Sequence, residues 1–484
     1  MFRYVWAGLM TAVTFVAAYV HEAHAAEAAE AIRARVQGGV LVGAVDGGVK
    51  IFKGIPYAAP PVGPLRSALP QPVVPWSGER AAAAFGASCM QRAPLRNVVP
   101  ESPAAQVSED CLTLNVWAPQ AAVKAPVMVW IHGGGNQTGS SAVKYYDGAA
   151  FARDGVVLVS LNYRLGKLGF EPHDGAANFG LWDQVAALKW VKKNIAVFGG
   201  DPGNVTVFGE SAGGQDTLAL MTAAPARGLF QKAIVESGGG GWGPDPKIAQ
   251  QESADHVGEW GVIVDGHLLK ESPLSAFAGG RAAHIPLIIG TNSEEGSLLG
   301  LEPHSDGIFP KLSADDMGVL KAVYGREGED DERLARLVFR DGYFASEARW
   351  VAAKVSAEGS PAYLYRFDYV LTVLQKRRAG AFHGSEVPFV FGRMPEIPVS
   401  EADTRVEQAL HECWVAFART GKPVCDKARD WPAFSPAGNG KLMVFDAHPS
   451  ARPLEDVAAL DLLQCRLAEE IPLASGACPP AHSK

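Results

Sequence analysis

Residues 205–214 read Val-Thr-Val-Phe-Gly-Glu-Ser-Ala-Gly-Gly. Four β-branched or aromatic positions lead into a turn of small residues with one serine at its centre. The glycines at 209 and 213 suit a turn so tight that the neighbouring backbone leaves no room for Cβ. Such a turn lifts Ser211 to the carboxyl edge of a sheet, at the amino end of the next helix. There the free N–H groups and the helix dipole favour negative charge. A serine hydroxyl is a weak nucleophile until a base takes its proton and donors steady the charge that forms. Five loose positions recur by chance, so the motif needs partners before it means more than a glycine-rich turn.

Outward from this turn the chain alternates. Short apolar runs at 127–131, 156–161, 205–208, 233–235, 287–289 and 363–367 suit strands covered on both faces. Leu181, Val185, Leu188, Val191 and Ile195 mark one stripe of a helix, stopped at Gly199-Gly200. Strand–helix alternation predicts an α/β fold with a mostly parallel sheet and helices on both faces. Residues 32–57 predict a small N-terminal β-hairpin region ahead of the main body, and the Pro-rich passage 60–75 predicts irregular chain. The composition, 484 residues with 48% hydrophobic and 20% charged, is that of a globular protein with a large core. No linker divides residues 26–484, which read as one domain.

The formal net charge is −8, and the basic cluster Lys376-Arg377-Arg378 reads as a solvated loop. That balance argues against a nucleic-acid partner. Residues 1–25 predict a cleaved signal peptide: Arg3, an uncharged run over 4–20, then Ala23-His24-Ala25. The protein is therefore expected to be secreted or periplasmic. Six cysteines follow the leader, at 89, 111, 413, 425, 465 and 478. In an exported chain an even number points to disulfides. Pairing neighbours would close three short loops, while Cys413, within a helical pattern, can equally be a buried thiol. No cysteine or histidine cluster has metal-ligand spacing, and His21-Glu22-Ala23-His24 is one residue short of a zinc motif.

A second motif, Trp130-Ile131-His132-Gly133-Gly134-Gly135, follows another strand. Three glycines there let backbone N–H groups converge on an oxyanion, and no phosphate-binding pattern fits them. Glu109-Asp110-Cys111-Leu112-Thr113-Leu114-Asn115-Val116 and the stretch 198–214 around Ser211 resemble the two signatures of the type-B carboxylesterases, the family that also holds the cholinesterases. Asn162-Tyr163-Arg164-Leu165-Gly166 and Gly54-Ile55-Pro56-Tyr57-Ala58 resemble further family blocks. The similarity spans residues 35 to 450.

The resemblance implies an α/β-hydrolase fold and a Ser–Glu–His triad. Ser211 matches the nucleophile. Gly290-Thr291-Asn292-Ser293-Glu294-Glu295-Gly296 resembles the acid-bearing block, with Glu295 rather than Glu294 at the position before the glycine. His383, in His383-Gly384-Ser385-Glu386, matches the base, beyond the last strand. The other histidines after the leader and outside the glycine motif, at 173, 256, 267, 284, 304, 411, 448 and 482, read as structural or exposed. The family's oxyanion donors fall on the amides of Gly134, Gly135 and Ala212. Glu210 matches a position that tunes the site's electrostatics, or is a charge at a helix start, and Ser237 is placed in a supporting hydrogen bond. Cys89 with Cys111 matches the family's first disulfide, and Cys465 with Cys478 is a second expected pair.

Two departures stand out. Ser211 and Glu295 are 84 residues apart, several dozen fewer than in the family, with the shortening around 238–262. Gly261-Val262-Ile263-Val264-Asp265-Gly266 looks like the strand and turn beyond that gap. A pared-back wall either admits a larger ester or leaves the site exposed and sluggish. Trp242 and Trp260 flank the gap, as pocket lining or ordinary core. The loop between Cys89 and Cys111 carries no tryptophan, which argues against a quaternary ammonium substrate. The expected protein is a serine carboxylesterase. It splits a small-molecule ester through an acyl-enzyme, without metal or organic cofactor. Acyl transfer by the same triad, or a catalytically impaired member acting as a binding protein, are the alternatives. Oligomeric state is not legible.

Overall fold

Alternating runs of Val, Ile, Leu and aromatic residues become the strands of this protein. They are seen in a computed structural model that describes residues 30–91, 106–239, 261–299, 312–325, 331–426, 428–435 and 440–470. The strands are β1 (Glu30–Val36), β2 (Gly39–Asp46), β3 (Val49–Pro56), β4 (Glu79–Ala81), β5 (Ser88–Cys89), β6 (Val107–Ser108), β7 (Thr113–Pro119), β8 (Ala125–Ile131), β9 (Val157–Leu161), β10 (Gly200–Glu210), β11 (Lys232–Glu236), β12 (Leu287–Asn292), β13 (Ala362–Phe367), β14 (Lys441–Phe445) and β15 (Ser450–Pro453). All but β5 and β6 join one sheet. Its order is β1-β2-β3-β7-β9-β8-β10-β11-β12-β13-β14-β15, with β4 alongside β2.

From β9 to β14 the neighbours run parallel, and the antiparallel pairs lie toward the two ends. Side chains of the central strands alternate between two cores. Val129, Val207, Val235 and Ile289 face one, and Trp130, Phe208, Ile234 and Ile288 face the other. Burial on both faces explains why these strands read as unbroken apolar runs. Among the helices, α1 (Phe179–Asn194), α2 (Ala212–Thr222) and α4 (Ser346–Ala357) cover the first core, while α5 (Glu401–Thr420) covers the second. A further helix, α3 (Asp331–Phe339), precedes α4. The α1 stripe predicted from sequence is buried in the first core, and its last member, Ile195, falls in a 3-10 turn that ends at Gly199 with φ 91°.

Several expectations are corrected. The N-terminal strands are no separate hairpin, because β3 pairs with β7 and extends the central sheet. Nor is 363–367 the last strand: β14 adds beside β13 in parallel. Residues 261–265 form no strand. The Ile263 backbone is instead held in both directions by the Asn178 amide, at 2.7 and 3.0 Å. Cys413 is bridged to Cys425, so the free-thiol alternative fails, and Cys89 is bridged to Cys111. Cys465 is disulfide-bonded; Cys478 lies outside the described residues, as do the leader, Trp242, Trp260 and most of the shortened segment.

Candidate active site

At the end of β10 the backbone turns through Ser211 at φ 56° and ψ −125°. A non-glycine residue there stores about 1–3 kcal/mol of strain and is fixed only by its surroundings. Those surroundings are visible. The Ser211 N–H donates to the Glu236 carbonyl at 2.9 Å, which ties the turn to β11. A Cβ on Gly213 would lie 2.0 Å from the Ile131 carbonyl oxygen, so only glycine lets α2 start so close to β8. Ser211 thus stands at the carboxyl edge of the parallel sheet, with Ala212 opening α2.

Glu295 and His383 come from the loops after β12 and β13. Glu295 is fully buried. Its Oε2 lies 2.6 Å from His383 Nδ1. Its Oε1 accepts from the Ser237 hydroxyl at 2.6 Å and from the Asn292 N–H at 2.7 Å. The His383 N–H in turn donates to Ser297 Oγ at 3.1 Å. Glu294 faces away and pairs with Arg336 at 3.1 Å.

On its other side His383 Nε2 approaches Glu210 Oε1 to 3.1 Å, yet neither atom forms an aligned hydrogen bond. Among the described residues no hydrogen bond joins Ser211 Oγ to His383. Burial alone would lower the imidazole's pKa, but Glu210, Glu295 and Glu386 raise it to about 9. Burial raises Glu210 to about 7 against the pull of His383.

Two further acids lie behind. Glu236 pairs in register with Glu210 across β10 and β11, and its Oε1 accepts from Trp414 Nε1 at 2.7 Å. Glu386 Oε2 accepts from the Asn292 amide. Burial is the first cause that raises both, Glu386 to about 8 and Glu236 well above the carboxylate range. One oxygen each of Glu210, Glu236 and Glu386 remains without a hydrogen bond.

The glycine loop after β8 closes the other side. A Cβ on Gly133 would lie 3.0 Å from Ser211 Cβ, so the loop passes directly beside the serine. The Gly134 carbonyl turns inward and accepts from the amides of Gln137 and Thr138, both at 3.0 Å. The Gly134 and Gly135 amides enter no hydrogen bond among the described residues. The Ala212 amide, first in α2, has no partner within its helix. Asn136 anchors the loop to Asp216 at 3.0 Å. Tyr163 OH lies 2.7 Å from the His132 carbonyl and 3.0 Å from Asn136 Oδ1. His132 itself is buried, and desolvation lowers it to about 4.

The fold therefore gathers Ser211, Glu295, His383, Glu210, Ser237, Gly134, Gly135 and Ala212 at one edge. His411 is buried between Val390 and Asp154, and His173, His267, His284 and His448 are exposed. Sequence reasoning missed Glu236, Glu386, Asn292 and Trp414. An acid directly after the apolar run 233–235, as at Glu236, was the available signal. No group of three or more His, Cys, Asp or Glu among the described residues could hold a metal, and no described helix is long and apolar enough to cross a membrane.

The carboxylesterase family matches residues 27–242 and 320–458. Among curated relatives, the fumonisin B1 esterase of Sphingopyxis macrogoltabida is 34% identical over 84% of this chain and 85% of its own length. The para-nitrobenzyl esterase of Bacillus subtilis is 36% identical over 82% and 91%. Among solved structures, a PNB esterase covers 89% of this chain and 99% of its own with TM-score 0.76 and 32% identity. The Geobacillus stearothermophilus carboxylesterase Est55 covers 89% and 100% with TM-score 0.77 and 31% identity.

Proposed function

This chain belongs to the carboxylesterase family and is a carboxylic ester hydrolase of the α/β-hydrolase fold, and we propose that it cleaves small-molecule esters through a Ser211 acyl-enzyme. The observation that carries the reading is the 2.6 Å contact of buried Glu295 with His383 Nδ1, beside a serine held at positive φ. His383 Nε2 leaves Glu210 and takes the Ser211 proton as Oγ attacks the ester carbonyl. The new oxyanion is met by the amides of Gly134, Gly135 and Ala212, each such donor contributing about 3 kcal/mol. Imidazolium then protonates the departing alcohol, the C–O bond breaks, and the acyl group stays on Oγ. Water, deprotonated by the same nitrogen, attacks in turn; the acyl–Oγ bond breaks, the imidazolium returns its proton to Oγ, and the acid is released. Glu295 fixes the Nδ1–H tautomer, Ser237 and Asn292 hold Glu295, and Glu210 stabilises the imidazolium.

Purified protein on p-nitrophenyl butyrate tests this. A burst of one nitrophenol per chain is expected, abolished in Ser211→Ala. Full turnover by Ser211→Ala, or turnover with no covalent adduct on Ser211 in quenched samples, overturns the acyl-enzyme.

Residues 1–25 are proposed as a signal peptide for export, and residues 26–484 as one catalytic domain. The bridged cysteines support the first, since such bonds persist in oxidising compartments. The single sheet from β1 to β15 supports the second. N-terminal sequencing of exported protein should begin at Ala26; an intact leader on active protein overturns the export reading.

A further inference from the structure

The glycine loop after β8 holds three residues in succession at positive φ: Gly134 at 107°, Gly135 at 62° and Asn136 at 56°. The first two suit glycine. Asn136 does not, and a side chain in that region persists only where its surroundings over-determine it. Asn136 is fully buried, and every polar group of its side chain is engaged. Its Nδ2 donates to Asp216 Oδ1 at 3.0 Å, and its Oδ1 lies 3.0 Å from the Tyr163 hydroxyl. Its carbonyl accepts from the Gly166 N–H at 2.7 Å. On the outer side Gly261 presses on the same amide: a Cβ there would lie 2.4 Å from Asn136 Nδ2.

Asp216 is a buried acid that the reaction described above does not use. It sits in α2, one turn beyond Ala212, and is fully buried. Gln184 of α1 donates to its Oδ2, as Asn136 does to its Oδ1. Two donors, one on each oxygen, are matched by a carboxylate and not by an amide, which can accept on one side only. The Asp216 side chain thus joins the two stretches of chain that carry the oxyanion amides. At the base of the loop the same stretches meet by backbone packing, Gly213 against Ile131. At its tip they meet through Asn136 and Asp216.

We propose that Asp216 is a positioning residue for the oxyanion: through Asn136 it sets the spacing between the Gly134 and Gly135 amides on one side and the Ala212 amide on the other. The proposal rests on the acyl-enzyme reading above. Donors fixed before the reaction stabilise charge without reorganising, and a small misplacement forfeits much of that gain. An oxyanion exists only in the transition state and the tetrahedral intermediate, so the loss falls on kcat and leaves KM nearly alone.

The test compares wild type, Asp216→Asn and Asn136→Gly on p-nitrophenyl butyrate. The second variant keeps the φ of residue 136, removes only the side chain, and decides the matter if the first does not fold. Competent sites are counted by mass after exhaustive organophosphate labelling. Both variants should lower kcat per competent site at least about tenfold, with KM within about twofold. A trifluoromethyl ketone, which binds serine as an oxyanionic hemiketal, should lose affinity by the same factor as kcat/KM. Adding Gln184→Glu to Asp216→Asn should restore most of kcat, because the new amide then gives its N–H to residue 184 and its oxygen to Asn136. An unchanged kcat per competent site in Asn136→Gly overturns the proposal. So does a fall in kcat without a matching loss of ketone affinity, which would leave Asp216 as support for the fold alone. A wild type that turns over ester with no acyl adduct on Ser211 would instead overturn the acyl-enzyme reading itself.

Discussion

Arg164 and Asp183 form one buried charged cluster in this protein, and His383 with its carboxylates forms another. In the first, Arg164 meets both Asp183 oxygens, at 2.7 and 2.8 Å, and gives its remaining nitrogen to the carbonyls of Arg66 and Ala68. Neither residue has a side-chain atom without a hydrogen-bond partner in the buried interior. In the second, His383 Nε2 and one oxygen each of Glu210, Glu236 and Glu386 go unmatched. A satisfied pair holds one geometry. An unsatisfied set of charges costs stability and leaves groups free to exchange protons and partners. The first cluster belongs to the frame, and the second is where the fold carries its chemistry.

That contrast is broken most severely at Glu295. Glu295→Gln should lower kcat about 10⁴-fold, the scale for a triad acid that sets the histidine tautomer, while the thermal midpoint stays near wild type. A large fall in stability instead would make Glu295 a frame residue. Asp183→Asn should do the reverse. It strands a buried guanidinium and should cost about 3–5 kcal/mol of stability in urea denaturation, with burst-normalised kcat unchanged.

Glu210→Gln sharpens the account through pH. Glu210 holds His383 protonated to higher pH, and a base must be neutral to act. Removing the charge should move the acid limb of kcat/KM to lower pH and cost about tenfold in kcat through the less stabilised imidazolium. Stability has its own sign. His383 is raised from 6.5 to about 9, so its contribution is full below pH 6.5 and fades as the pH rises through 9. An acid limb that does not move contradicts the role given to Glu210.

The smallest effect belongs to Glu236. Its carboxyl is raised on folding, so the unfolded chain ionises first and stability falls as the pH climbs above 4.5. Glu236→Gln keeps an acceptor for Trp414 and removes that penalty. It should match wild type in denaturation midpoint below pH 4.5 and exceed it increasingly as the pH rises toward 8. A loss of stability at pH 8 would place Glu236 with the frame.

Much of this was legible because the responsible physics is local. The Gly213 contact with Ile131 follows from Gly-x-Ser-x-Gly, and apolar runs mark the doubly covered strands. The family resemblance, which sets the acid before a glycine, chose Glu295 over Glu294, and the fold turns Glu294 toward Arg336. What stayed hidden depends on distant partners. Glu236 and Glu386 look like ordinary acids until the sheet register and the Asn292 and Trp414 donors surround them. The Cys413–Cys425 bridge depends on how α5 meets the chain after it. The union of β3 with β7 likewise pairs strands far apart in sequence.

The most direct measurement is covalent trapping. Protein treated with an organophosphate at a pH where it turns over ester, then digested and mapped by mass, should carry one phosphoryl group, on Ser211. Labelling should be slowed in parallel with kcat in Glu295→Gln and proceed at the wild-type rate in folded Asp183→Asn. Turnover with no adduct, or an adduct on another serine such as Ser237, would contradict the account.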